Sequence, residues 1–240
     1  AMQHLIGGLI LWLALAVPAV AQQAVDLELV LAADGSGSID GQEFELQRTG
    51  YAEAIRSPQV LSAIRGGLLG RIAVALIEWG DPESQHVIVD WHVISDAASA
   101  DAFAAKLLAV PRKAWGYNSI SNALAFSAAM IRDNAYEGTR RIIDLSGDGP
   151  QIGGAPLDQV RAAILAEGIT INALAIRSPG GAVAGPRGEP IDLHYRNHVI
   201  GGQGAFVAVA EGRADFARAI RSKLVLEIAG VPVAAQRAER

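Results

Sequence analysis

Residues 25–40, VDLELVLAADGSGSID, constrain this chain more than any other stretch. The first half is an apolar run interrupted only by Asp26 and Glu28 and closed by a Gly/Ser turn, the pattern of a buried strand. The second half sets Asp34, Ser36 and Ser38 at alternate positions, with Gly35 and Gly37 between them. Glycine lets the backbone turn sharply, so a carboxylate and two hydroxyls can converge beyond the strand's end. Three hard oxygen donors about one point suit a small divalent cation such as Mg²⁺. Asp40 with Glu43 three residues later reads as a capping box that opens a helix. The cap accounts for Asp40 and leaves Asp34, Ser36 and Ser38 unexplained.

Beyond this stretch, strand-like and helical patterns alternate. Strands are expected at 71–80, 85–95, 140–146, 169–176 and 205–210. Helices are expected from Asp40 to about Ser57, where Pro58 follows, and at 59–65, 97–110, 119–136, 157–167 and 213–228. The strands at 71–80 and 85–95, joined by Asp81-Pro82, read as an antiparallel hairpin at a sheet edge. The Gly/Pro-rich stretch 178–204 fits no single pattern, and its segment 191–200, IDLHYRNHVI, suits a strand or irregular chain. The alternation implies an α/β fold: a doubly wound, mostly parallel six-stranded sheet with one antiparallel edge strand. Ligands in such sheets bind beyond the carboxyl ends of the strands, where strand order reverses. Following the chain up and down through right-handed crossovers puts Asn118 and Asp148 at the same end as Asp34. The same parity brings loops 79–83, 111–118, 149–155 and part of 178–204 to that end.

Composition narrows the function classes. The 240 residues carry a net charge of −5 with no basic run, which argues against nucleic acid as a partner. The absence of cysteine excludes disulfides, thiol catalysis and thiolate metal sites. Residues 5–21, LIGGLILWLALAVPAVA, carry no charge and end in Ala19-Val20-Ala21, a small-residue cleavage pattern. Residues 1–21 therefore read as a signal peptide or, uncleaved, an N-terminal membrane anchor. Residues 25–230 form the domain and 231–240 a flexible tail.

A strand ending in D-x-S-x-S resembles the first motif of von Willebrand factor A domains, where it builds the metal-ion-dependent adhesion site. The family's second motif is a Thr in a loop before a helix, often G-x-T-x-I; here the matching stretch is Gly116-Tyr117-Asn118-Ser119-Ile120, with Asn118 in the Thr position. Its third motif, an Asp followed by Gly after the fourth strand, matches Asp148-Gly149. The resemblance extends over nearly all of 25–230 and looks closest to an uncharacterised group of exported bacterial proteins sharing stretches like IDLSGDGP and KLVLEIAG. It implies a von Willebrand factor A-like, Rossmann-like fold. It also implies a site for Mg²⁺, or another divalent cation such as Mn²⁺ or Ca²⁺, formed by Asp34, Ser36, Ser38, Asn118 and Asp148. Ser119 is a possible substitute ligand.

What the resemblance implies chemically is binding. Such a metal keeps an open position that a partner's carboxylate can fill, and no nucleophile stands beside its own base, so no enzyme is expected. Trp79, Trp115 and Tyr117, in loops at the metal end, are either core caps or anchors on a partner-binding rim. His194 and His198, four apart but without the Glu of H-E-x-x-H, read as two histidines of a surface loop. Asp144 reads as a group behind the site or a hydrogen-bonded polar residue of the strand. Two functions stay open: an exported, periplasmic or secreted metal-dependent protein-binding module, and a structural subunit of a membrane assembly anchored to the inner membrane, its metal site degenerate.

Overall fold

The computed structural model describes residues 22–177, 184–212 and 215–230. Six strands form one sheet: β2 (Glu28–Asp34), β3 (Ile72–Trp79), β4 (Gln85–Ile94), β6 (Arg141–Gly147), β7 (Thr170–Arg177) and β8 (Val207–Glu211), in the order β4-β3-β2-β6-β7-β8. All neighbours are parallel except β3 and β4, which pair antiparallel at one edge. Every residue of β2 is buried, because a parallel strand covered on both faces meets no water on either.

Alternate residues of the central strands feed two separate layers. Leu27, Leu29 and Leu31 pack with Leu76 under α1 (Gly41–Arg56), α2 (Pro58–Arg65), α3 (Ala97–Ala109) and α7 (Phe216–Ala229). Val30 and Ala32 pack with Ile77, Trp79, Ile143 and Leu145 under α4 (Ile120–Arg132), α5 (Leu157–Ala166) and α6 (Ile191–His198). The capping box that opens α1 is present in full, Asp40 accepting from the Glu43 amide and Glu43 from that of Asp40. Pro58 stands at the first turn of α2, where its missing N–H costs nothing, and the Ser57 hydroxyl caps that helix.

Three segments differ from the expectation. The helix expected to reach 136 ends at Arg132. There the Asn134 amide donates to the carbonyls of Met130 and Ile131 and to Glu28, so the helix's last acceptors are taken by a side chain. The chain then forms β5 (Tyr136–Gly138), which pairs with β1 (Gln23–Val25) in a small separate parallel sheet. β1 is parted from β2 because the Asp26 carboxylate turns aside to accept from the amides of Leu69 and Arg71. Segment 191–200, expected as strand or irregular, contains helix α6, which buries Ile191, His194 and Tyr195 against β7 and β8.

The strand order reverses between β2 and β6, so the crevice of this sheet opens beside Asp34. At the opposite end lie Gln22, whose amide bonds the Asn134 carbonyl, and Gly230, which sits against Arg140 just before β6. Among the described residues no helix is long and apolar enough to cross a membrane. The expected leader, residues 1–21, and the tail, 231–240, lie outside the described residues.

Candidate metal centre

The end of β2 and the turn after it gather the oxygens. Asp34 is fully buried, and its Oδ1 accepts the Ser36 amide at 2.8 Å, which curls the GSGS turn back over the strand. The Ser36 and Ser38 hydroxyls lie 3.0 Å apart, and Ser38 donates to Asp148 Oδ1 at 3.2 Å. Asn118 Nδ2 donates to the other Asp34 oxygen at 2.9 Å. Asp34, Ser36, Ser38, Asn118 and Asp148 are thus linked in one hydrogen-bonded set. The Ser119 hydroxyl is engaged instead with Asn122 Oδ1 at 3.2 Å and the Gly153 carbonyl at 3.5 Å.

Burial first, and the Asp148 charge second, push the Asp34 carboxyl up to about 7 from 3.8. Among the described residues neither Asp34 nor Asp148 has a cationic side chain as an ion-pair partner. Two carboxylates brought together under these conditions are stabilised by an added cation. The Ser36, Ser38 and Asp148 oxygens follow one another at hydrogen-bond distance, 3.0 and 3.2 Å, close enough to be neighbouring ligands of one ion. The donor set, all hard oxygen, agrees with the same class of ion.

The frame around these oxygens rests on residues that the motif pattern does not mark. Arg112 wraps the GSGS turn from outside, its Nε 3.1 Å and one terminal nitrogen 2.6 Å from the Gly35 carbonyl, the other 2.6 Å from that of Ile39, with a further close bond to Ser36 O. From inside, fully buried Glu78 pairs with buried Arg48 and accepts the amide of Lys113 at 2.8 Å. Tyr195, buried on α6, donates to the Gly149 carbonyl at 2.8 Å and braces the turn after Asp148. Gly147 leaves room for that tyrosine: a Cβ there would stand 2.6 Å from the Tyr195 hydroxyl oxygen and 3.3 Å from an Asp34 oxygen. Arg112, Glu78 and Tyr195 lie far from the motif in sequence, and no periodic signal marks them or Arg48 as its frame.

The three aromatic candidates separate. Trp79 is the last residue of β3, wholly buried, with its indole N–H on the Ala32 carbonyl at 3.0 Å; it belongs to the core and not to a rim. Trp115 and Tyr117 are 52% and 68% exposed, on either side of Gly116, whose φ of +83° turns the loop there. Asp144 faces away from this cluster, into the layer under α7, where it meets Lys223 at 2.6 Å.

The fold is von Willebrand factor A-like. The fold is similar to that of the von Willebrand factor type A protein of Catenulispora acidiphila, with 16% identity, a TM-score of 0.58, and coverage of 85% of this chain and 43% of that one. The pilus adhesin SpaC of Lactobacillus rhamnosus GG shares 15% identity at a TM-score of 0.61, covering 87% and 31%. Proximal thread matrix protein 1 from the mussel byssus, solved with zinc in its MIDAS motif, shares 14% at 0.58, covering 88% and 47%. The chain thus spans less than half the length of each of these structures. It belongs to the DUF1194 family of proteins of unknown function, whose model matches residues 24–232. No curated protein matches the sequence.

Proposed function

We propose that this chain is an exported, metal-dependent protein-binding module that takes an acidic side chain of its partner at the Asp34 end of the sheet. The observation that carries the reading is the set of converging oxygens from Asp34, Ser36, Ser38 and Asp148, two of them carboxylates without an internal cation. A bound Mg²⁺, Mn²⁺ or Ca²⁺ would supply residual positive charge and an open position for the partner's carboxylate. Asp34 and Asp148 would balance the ion's charge, and Ser36 and Ser38 would turn hydroxyl lone pairs toward it. The Asn118 amide, rotated by half a turn, presents Oδ1 where it now presents Nδ2. Arg112 keeps the turn's carbonyls occupied, so the serine hydroxyls stay directed to the crevice. Trp115 and Tyr117 supply apolar area beside the charge, as anchors of interfaces do.

A mussel matrix protein with a metal in this motif and a pilus adhesin share the fold, which supports binding over catalysis. The uncharged residues 5–21 and the small-residue pattern that ends them support export, to the periplasm or beyond. The test is a pulldown from the native envelope with and without a chelator, followed by affinities of the recovered partner for three variants. Asp34→Ala abolishes chelator-sensitive binding, and Trp115→Ala weakens it by about 2 kcal/mol. Arg221→Ala, exposed on α7, leaves it unchanged. Loss confined to Arg221→Ala would instead place docking on the side of the domain.

A further inference from the structure

α6 carries a second constellation, made of residues that the first does not use. His194 and His198 stand one turn apart on the helix, with ring centroids 5.1 Å from each other. Glu189, just before the helix, turns back to them and places Oε1 3.0 Å from His194 Nδ1. One donor atom from each of Glu189, His194 and His198 lies within 4.8 Å of the others. The three line a cavity of about 350 Å³ together with Asp158 and Arg187.

Two features of the imidazoles point to a cation. His194 is 5% exposed, and its Nε2 has no hydrogen-bond partner. With the ring proton on that Nε2, His194 turns its Nδ1 lone pair toward the Glu189 carboxylate 3.0 Å away, and two acceptors that close need a positive charge between them. His198 Nε2 lies 2.7 Å from an Arg187 guanidinium nitrogen. Guanidinium nitrogens only donate, so His198 also presents a lone pair, already facing positive charge. The Arg187 side chain is 70% exposed and can swing into solvent.

We propose that Glu189, His194 and His198 form a second metal site, for a Zn²⁺-class transition metal. Two imidazoles and a carboxylate are a donor set suited to Zn²⁺ and poorly suited to Mg²⁺ or Ca²⁺. Tetrahedral Zn²⁺ at 2.0–2.1 Å needs donors about 3.3 Å apart, so the cluster closes by roughly 1.5 Å at its widest, within reach of rotamer changes at half-buried Glu189 and His198. Tyr195, between the two histidines in sequence, bonds the Gly149 carbonyl, so an ion here would also stiffen the helix that braces the Asp148 turn.

The test titrates Zn²⁺ alone into protein carrying Asp34→Ala, which removes the oxygen site from the count. One Zn²⁺ per chain is expected, and adding His198→Gln lowers its affinity by about 10- to 100-fold or more. Co²⁺ in place of Zn²⁺ gives the visible absorption of a tetrahedral nitrogen-ligated ion, lost in the double variant. His198 is half-buried at the helix end, so its replacement leaves the fold intact where that of buried His194 can unfold it. No Zn²⁺ uptake by the Asp34→Ala protein, or uptake and spectrum unchanged by His198→Gln, overturns the site.

Discussion

Two carboxylate clusters hang on β6 four residues apart, and the chain treats them in opposite ways. Below, Asp144 and Glu227 share the fully buried Lys223: its ammonium is 2.6 Å from Asp144 and bonds Glu227, which also accepts from Asn172 at 2.8 Å. Burial first, and the Asp144 charge second, push the Glu227 carboxyl up to about 8, against the pull of Lys223. That cluster carries its own cation. Above, the Asp148 charge likewise pushes Asp34 up, yet no side-chain cation of the described residues answers the two. Where the fold wants a structural charge cluster it supplies the counter-ion covalently. Its omission at the crevice of the sheet supports the cation site proposed there.

The harshest way to break this comparison is Lys223→Met. Removing the ammonium leaves Asp144 buried beside Glu227 with no counter-charge, and a loss of about 3–5 kcal/mol in chemical denaturation is expected, with no rescue by Mg²⁺. A loss that Mg²⁺ did repair would make the two clusters equivalent. Next comes Asp34→Ala, which should leave metal-free stability unchanged or higher, because it relieves a buried charge. It should also abolish Mg²⁺-dependent stabilisation, which at one hundred times Kd is about 2.7 kcal/mol. Thermal melts with and without Mg²⁺ check both halves. Arg112→Met should weaken Mg²⁺ binding by about 10- to 100-fold, as loss of groups that orient ligands does, without abolishing it; calorimetric titration measures that. The gentlest change is pH, worth at most about 1.4 kcal/mol per unit for a single group. Asp34's folded value, about 7, lies above the ordinary 3.8, so its contribution is fully present at low pH and lost as pH rises through about 7. Metal-free protein should therefore lose stability across that window, while the increment added by Mg²⁺, which competes with the same proton, grows. Parallel melting curves in both conditions would refute the role given to Asp34.

Much of this architecture was legible in the chain. The run before Asp34, the alternation of strands and helices, the Asp40–Glu43 box and the stop at Pro58 are local signals, and tertiary packing reinforced each of them. What was hidden depends on contacts across the fold. α4 ends because the Asn134 amide, two residues past Arg132, takes the last carbonyls, and that amide is held in place by Glu28, more than a hundred residues away. α6 hides because its helix is short and polar on its outer face, and its apolar residues acquire meaning only against β7 and β8. Likewise Trp79 reads as a loop aromatic until the register of β3 against β2 places it opposite Asp34, inside the core. Oxygens in D-x-S-x-S are close in sequence and easy to find. Arg112 and Glu78, which hold them, are separated from the motif by some forty to eighty residues and are ordinary charged residues until folded.

The position of Gln22 and Gly230 has a consequence for how the molecule can be held. Both leave the domain at the foot of the sheet, beside Asn134 and Arg140, with the crevice at the far end of the strands. A tether attached through either of them pulls along the strands and aims Asp34 away from its point of attachment. Mounted on a surface, the domain would stand upright, its oxygen cluster at the greatest reach the fold allows and its load carried lengthwise along the sheet.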